Sequence, residues 1–106
     1  MELLHGTLDT LILKTLAAGR LHGYGIARAI EESTGAIIAV EEGSLYPALY
    51  RMERKELIEA EWGLSELGRR AKFYRITPRG RKALAAYTAE WARFSGAISK
   101  VLLGGA

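Results

Sequence analysis

Hydrophobic residues recur at helical spacing along most of this chain. Leu8, Leu11, Ile12, Thr15 and Leu16 fall on one face of a first helix, with Thr7 as its N-cap and Gly19 as its stop. Leu3 and Leu4 are expected to pack beside it. After a turn at 20–23, Ile26, Ala27, Ala29 and Ile30 predict a second helix of small residues, ending at Gly35. The apolar, β-branched stretch 35–40 suits a short strand or a packed connection. Ser44 then reads as the N-cap of a third helix, with Pro47 in the first turn, where a missing N–H loses no intrahelical bond. Leu45, Leu49 and Met52 form its buried stripe. Pro47, Tyr50, Arg51 and Arg54 project the other way, with Tyr46 on the flank.

The periodicity then changes. Leu57 and Ile58 close the third helix and begin a strand that runs through Trp62 to Leu64. Residues 65–71, with Gly68 among them, make the turn, and Lys72 to Ile76 return as a second strand. Thr77 followed by Pro78 is a strong helix start, with Thr as N-cap and Pro at the first helical position. The last helix extends to about Leu102 and ends at Gly104 and Gly105. The predicted fold is mainly α with one β-hairpin. It forms a single domain over 1–106, divided into a core at 1–77 and a C-terminal helix at 78–103.

Charge sharpens this picture. Residues 67–89 carry seven basic side chains (Arg69, Arg70, Lys72, Arg75, Arg79, Arg81 and Lys82) and no acidic one. Residues 31–66 carry nine acidic against three basic. The net charge of +3 and pI near 9.4 are mild, so the clustering carries the argument. Basic charge on a hairpin tip, beside a helix with an exposed Tyr/Arg face, is what a reader of duplex DNA needs. The pattern is that of a winged helix-turn-helix.

On the third helix, arginine can pair with guanine edges in a major groove and phenols can reach phosphates, which nominates Tyr46, Tyr50, Arg51 and Arg54. On the hairpin, Arg69, Arg70 and Lys72 bracket the turn and can reach phosphates or the minor groove. Tyr24 opens the second helix, whose free amides suit a phosphate. Each feature has a plainer structural reading: a solvated helix face, a charged hairpin edge and a core aromatic.

The last helix carries Leu84, Tyr87, Trp91, Phe94, Ile98 and Val101 at spacings 3, 4, 3, 4, 3, a heptad seam. At 1.5 Å per residue such a helix spans roughly 37 Å, longer than the preceding core can cover. The surplus apolar length calls for a partner, and a second copy is the simplest one. Gly96 costs this helix about 1 kcal/mol relative to Ala and suits a close helix crossing.

Signals for catalysis are poor. The chain has no cysteine, which excludes disulfides, thiolate zinc and a catalytic thiol, and fits a reducing cytoplasm. His5 and His22 show no metal-ligand spacing and read as turn or packing residues. No phosphate loop or nucleophile elbow appears, so no enzyme, metal or cofactor is expected. The apolar N-terminus lacks the basic leading region of a signal peptide, and Asp9 and Lys14 interrupt it. No membrane span is expected.

Three segments also resemble the PadR family of bacterial transcriptional regulators: Leu-His-Gly-Tyr-Gly-Ile at 21–26, Gly-Ser-Leu-Tyr-Pro-Ala-Leu at 43–49, and Arg-Arg-Ala-Lys-Phe-Tyr-Arg-Ile-Thr-Pro-Arg-Gly at 69–80. The resemblance implies a winged helix-turn-helix that dimerises through its last helix and usually represses transcription from an inverted-repeat operator. In that family the first turn of the second helix, the Tyr-Pro helix and the wing face DNA. That points to Tyr24, Ser44, Tyr46, Tyr50, Arg51, Arg69, Arg70 and Lys72. Many members respond to a small aromatic or lipophilic effector, and Trp91 is similar in position to a tryptophan at the dimer interface of drug-sensing relatives. With one C-terminal helix, the chain resembles the short subgroup. Two competing classes are a winged-helix protein-interaction module without DNA binding and a ligand-sequestering dimer centred on Trp91.

Overall fold

The computed structural model describes residues 3–104, with side chains from Gly6 to Gly104. The first helix, α1, spans Leu3–Ala17. Thr7 therefore lies inside it rather than capping it. Threonine is tolerated there because its hydroxyl can donate back along the helix. Thr10 Oγ1 donates to the Gly6 carbonyl at 2.6 Å, and Thr15 Oγ1 to that of Leu11 at 2.7 Å. The expected packing of Leu3 and Leu4 and the role of His5 fall outside the described side chains.

A two-residue strand, β1 (Leu21–His22), follows, where only a turn was expected. It leads into α2 (Gly23–Ser33). The connection to the next helix is a loop, not a strand. Gly35 and Ala36 both adopt left-handed backbone, with φ of 61° and 66°. Thr34 holds the loop, its hydroxyl donating to the Ile30 carbonyl at 2.9 Å and accepting from the Ile38 N–H at 3.1 Å. Ile38 and Val40 pack against the core while Ile37 stands in solvent.

Helix α3 spans Glu42–Arg54, three residues earlier than the expected start. Glu41 is the N-cap and makes no side-chain cap bond; the amides of Ser44 and Leu45 both donate to its carbonyl, at 3.0 and 2.9 Å. Ser44 is thus a first-turn residue. Pro47 moves into the second turn, where it removes the donor due to the Gly43 carbonyl. Gly43 is exposed, so solvent can reach that group. The helix ends with Glu56 in left-handed backbone (φ 61°) and the Leu57 N–H on the Met52 carbonyl at 2.9 Å.

Strands β2 (Ile58–Leu64) and β3 (Arg70–Ile76) form the hairpin, and β1 joins the far edge of β3 to give an antiparallel sheet of order β1-β3-β2. Leu21 pairs with Tyr74, which in turn faces Ala60 on β2. One core unites the parts: Ile12, Leu13 and Leu16 from α1, Ile26 and Ile30 from α2, Leu45, Ala48, Leu49 and Met52 from α3, and Leu57, Ile58 and Tyr74 around the sheet.

Helix α4 (Pro78–Leu102) starts as expected, with Thr77 Oγ1 accepting from the Gly80 N–H at 3.0 Å. Gly80 lies so tightly on the Leu57 carbonyl that any Cβ there would collide with it. Ala83, Leu84 and Tyr87 pack against the core. Beyond them the seam is open, with Trp91, Phe94, Ile98 and Val101 exposed at 44%, 37%, 38% and 81%. At 100° per residue Gly96 lies on the opposite side of α4 from this seam. A Cβ there would have no neighbour within 4 Å. Gly105 lies outside the described residues.

Candidate nucleic-acid interface

The entry to α2 is built by the histidine and glycines of the 21–26 segment. His22 caps the helix, its Nδ1 accepting from the Gly25 N–H at 3.0 Å, and its ring meets the edge of Phe73 at 5.4 Å. Gly23 is buried beneath Tyr46, whose phenol occupies the space a Cβ would need. This contact ties the first turn of α2 to α3. Tyr24 points outward, 64% exposed, and Arg28 one turn later donates to its hydroxyl at 3.1 Å. With its neighbours Tyr24 and Glu32, the Arg28 guanidinium is held more firmly in its charged form than usual.

Helix α3 repeats the device. Arg54 Nη1 donates to the Tyr50 hydroxyl at 3.2 Å, with the guanidinium 5.7 Å from the ring centre. The exposed ridge runs through Gly43, Pro47, Tyr50 and Arg54. Its two flanks differ. Tyr46 leans toward α2 and the hairpin, whereas Ser44 and Arg51 lie toward α1. Ser44 borders a shallow depression with Thr7, Leu11 and Val40. Arg51 Nη2 bonds Asp9 Oδ1 at 2.9 Å, and that carboxylate is nearly buried. Arg51 therefore links α3 to α1 in the free protein, while Arg54 has no acidic partner among the described residues.

The turn between β2 and β3 is compact. Gly68 takes positive φ (73°), the Ser65 N–H donates to the Arg69 carbonyl at 2.8 Å, and the Gly68 N–H to the Ser65 carbonyl at 2.9 Å. The geometry sets Leu67 at the tip and leaves Arg69 and Arg70 exposed. Arg70 lies 4.5 Å over the ring of Trp62. Lys72 is engaged, its Nζ 3.2 Å from Glu53 Oε1. Arg75 and Arg79 pair likewise with Glu59 and Glu56, at 2.8 and 3.5 Å. The opposed acidic and basic segments of the sequence are thus partly one set of ion pairs across the fold. Each such exposed pair contributes about 0–1 kcal/mol. Of the basic segment's cations without such a pair among the described residues, Arg69 and Arg70 stand at the hairpin tip and Arg81 and Lys82 on α4.

Tyr24, Tyr46, Arg69, Arg70 and Lys72 line one open cleft of about 560 Å³, together with Trp62 and Leu67. Tyr74 closes its floor, and burial pushes its phenol pKa up from the ordinary value. Of the residues nominated from sequence, Ser44 and Arg51 lie outside this cleft, and Tyr50 and Arg54 continue from it along α3. Trp62, Leu67 and Arg28 were not anticipated. Strand alternation carried the signal for Trp62, because Ile58, Ala60 and Trp62 share the face of Tyr74 and Lys72.

Four helices around a core, with a small antiparallel sheet whose hairpin stands beside the third helix, define a winged-helix regulator of transcription. The chain belongs to the transcriptional regulator PadR-like family, whose profile matches residues 12–86. Its fold is that of a transcriptional regulator from Clostridium thermocellum, with TM-score 0.86 at 32% identity over 96% of this chain and 99% of that one. A PadR-like transcriptional regulator from Bacillus cereus gives TM-score 0.80 at 30% identity, over 97% and 98% of the two chains. "Uncharacterized protein X" of Lysinibacillus sphaericus is 33% identical over 97% of this chain and 94% of its own length. A 37.1 kDa protein in transposon TN4556 of Streptomyces fradiae is 43% identical over 83% of this chain, which spans only 24% of that protein. The chain is a transcriptional regulator and not an enzyme. Among the described residues no helix is long and apolar enough to cross a membrane.

Proposed function

We propose that this regulator binds duplex DNA as a homodimer and acts as a cytoplasmic repressor. The carrying observation is the convergence of Tyr24, Tyr46, Arg69 and Arg70 on one cleft, with Tyr50 and Arg54 continuing along the same side of α3. In this reading α3 enters the major groove, and Arg54, with no acidic partner among the described residues, reads base edges. Arg51 joins it only by leaving Asp9. The wing arginines and Tyr24 hold the sugar–phosphate backbone, with Ser44 and Lys72 as secondary contacts. A protein-interaction module would present an aliphatic ridge on α3, whereas this ridge carries tyrosine and arginine.

The exposed half of the α4 seam supports dimerisation. A small aromatic or lipophilic effector would have its best-placed site in an apolar cavity of about 170 Å³, lined by Leu11, Ile38, Tyr87 and Trp91 with Gly6, Thr7 and Thr10. An engineered apolar cavity of about 150 Å³ holds a single aromatic ring.

Replacing Arg69 and Arg70 together by Ala tests the wing. Binding to specific and random duplexes is expected to weaken by similar factors, with the salt slope falling by about 0.9 for each lost phosphate contact. An unchanged slope in the double variant would rule out the wing as a phosphate clamp.

A further inference from the structure

We infer that Trp62 is a positioning residue of the DNA contact: its indole holds the Arg70 guanidinium at the cleft between the wing and the first turns of α2 and α3. The inference rests on the DNA-binding reading above. Trp62 on β2 and Arg70 and Lys72 on β3 lie on the face of the hairpin that carries Ile58 and Tyr74 into the core. That inner face continues past the core into the cleft, where Trp62 remains 59% exposed.

Among the other stacked arginines, Arg54 also lacks an acidic partner among the described residues but spends an N–H on the Tyr50 hydroxyl at 3.2 Å, and two more are ion-paired. Arg20 lies 4.4 Å over Phe73 but is also ion-paired to Glu61 at 2.8 Å. Arg28 sits by Tyr24 and bonds Glu32 at 3.3 Å. Lys72, the neighbouring cation in the cleft, is held by Glu53. Arg70 is fixed by an aromatic face and has no acidic partner among the described residues. Glu66 lines the same cleft and makes no ion pair with it.

A guanidinium stacked on an indole keeps its N–H edge free, so it is oriented without being neutralised. The occupant such a surface fits is the sugar–phosphate backbone of a duplex. The N–H edge meets phosphate oxygens, while the aromatic walls meet deoxyribose carbons. A carboxylate partner would give order at the expense of charge.

The test is equilibrium binding of a labelled mixed-sequence duplex, followed as NaCl is raised, for the full-length protein and its variants. Trp62→Ala and Arg70→Ala are each expected to weaken binding roughly tenfold, the size of one charge-assisted hydrogen bond, and to lower the salt slope by about 0.9. The double variant should bind no more weakly than Arg70→Ala alone. Trp62→Phe, which keeps a ring face, should retain most of the affinity and the parent slope. Both side chains are exposed, so thermal melts should be unchanged. Parent-like binding by Trp62→Ala, or losses that add in the double variant, would overturn the positioning role. A parent protein that binds no duplex would overturn the DNA-binding reading instead.

Discussion

The arginines and lysines of this protein fall into two groups, and the division decides what each can do. Arg51, Lys72, Arg75 and Arg79 hold acidic partners, whereas Arg54, Arg69 and Arg70 hold none among the described residues. Residue types and spacing nominated Arg51 and Arg54 equally, because both project from the polar side of α3. Only packing separates them. Asp9 lies 42 residues away in sequence and reaches Arg51 through the α1–α3 contact. Arg51→Ala is therefore expected to lower stability by about 1–3 kcal/mol, having removed a partner from a nearly buried carboxylate. Arg54→Ala should stay within about 0.5 kcal/mol of the parent, as surface substitutions usually do. Urea unfolding of the two variants compares them, and equal losses would show that the Asp9 link carries no stability. Trp62 was passed over for a similar reason: a tryptophan in a strand is ordinarily core, and its exposure follows from how far the hairpin outruns the core.

At the scale of elements, the helices and the hairpin were legible because their apolar periods differ, and the Thr77-Pro78 start was legible because its chemistry is local. The start of α3 was not, since Glu41 caps through its backbone and Ser44, a favoured capping type, sits three residues on. Strand β1 was hidden because two residues carry no periodicity; only pairing with Tyr74 and Phe73 defines it. The glycines of α4 make a paired prediction. Gly80→Ala would drive a Cβ into the Leu57 carbonyl and should cost about 1–3 kcal/mol. Gly96→Ala meets nothing within 4 Å and should stabilise the helix by up to about 1 kcal/mol. Because Gly96 faces away from the seam, self-association should not change. Thermal melts and sedimentation read both, and a weaker dimer in Gly96→Ala would place the helix crossing on the other face.

The whole molecule measures 57 × 28 × 23 Å, and a 25-residue α4, about 37 Å long, supplies much of the long dimension. Its inner half completes the core through Leu84 and Tyr87, while Trp91, Phe94 and Ile98 are only partly covered in a single chain and Val101 stands in solvent. The heptad spacing was visible in the sequence; where own-domain packing stops and the open seam begins was not, because it depends on how far α1 reaches along α4. Trp91→Asp, at a position already 44% exposed in the monomer, should fold and sediment as a monomer. A folded variant that remains a tight dimer would place the interface elsewhere. If α4 pairs two copies, the two α3 helices should enter successive major grooves on one side of a duplex. Selection from a randomised duplex pool by the full-length protein tests this account most directly. The enriched sequences should form an inverted repeat whose half-sites are about one helical turn apart, roughly 34–36 Å. Enrichment of a single isolated half-site, or no enrichment at low salt, would contradict it.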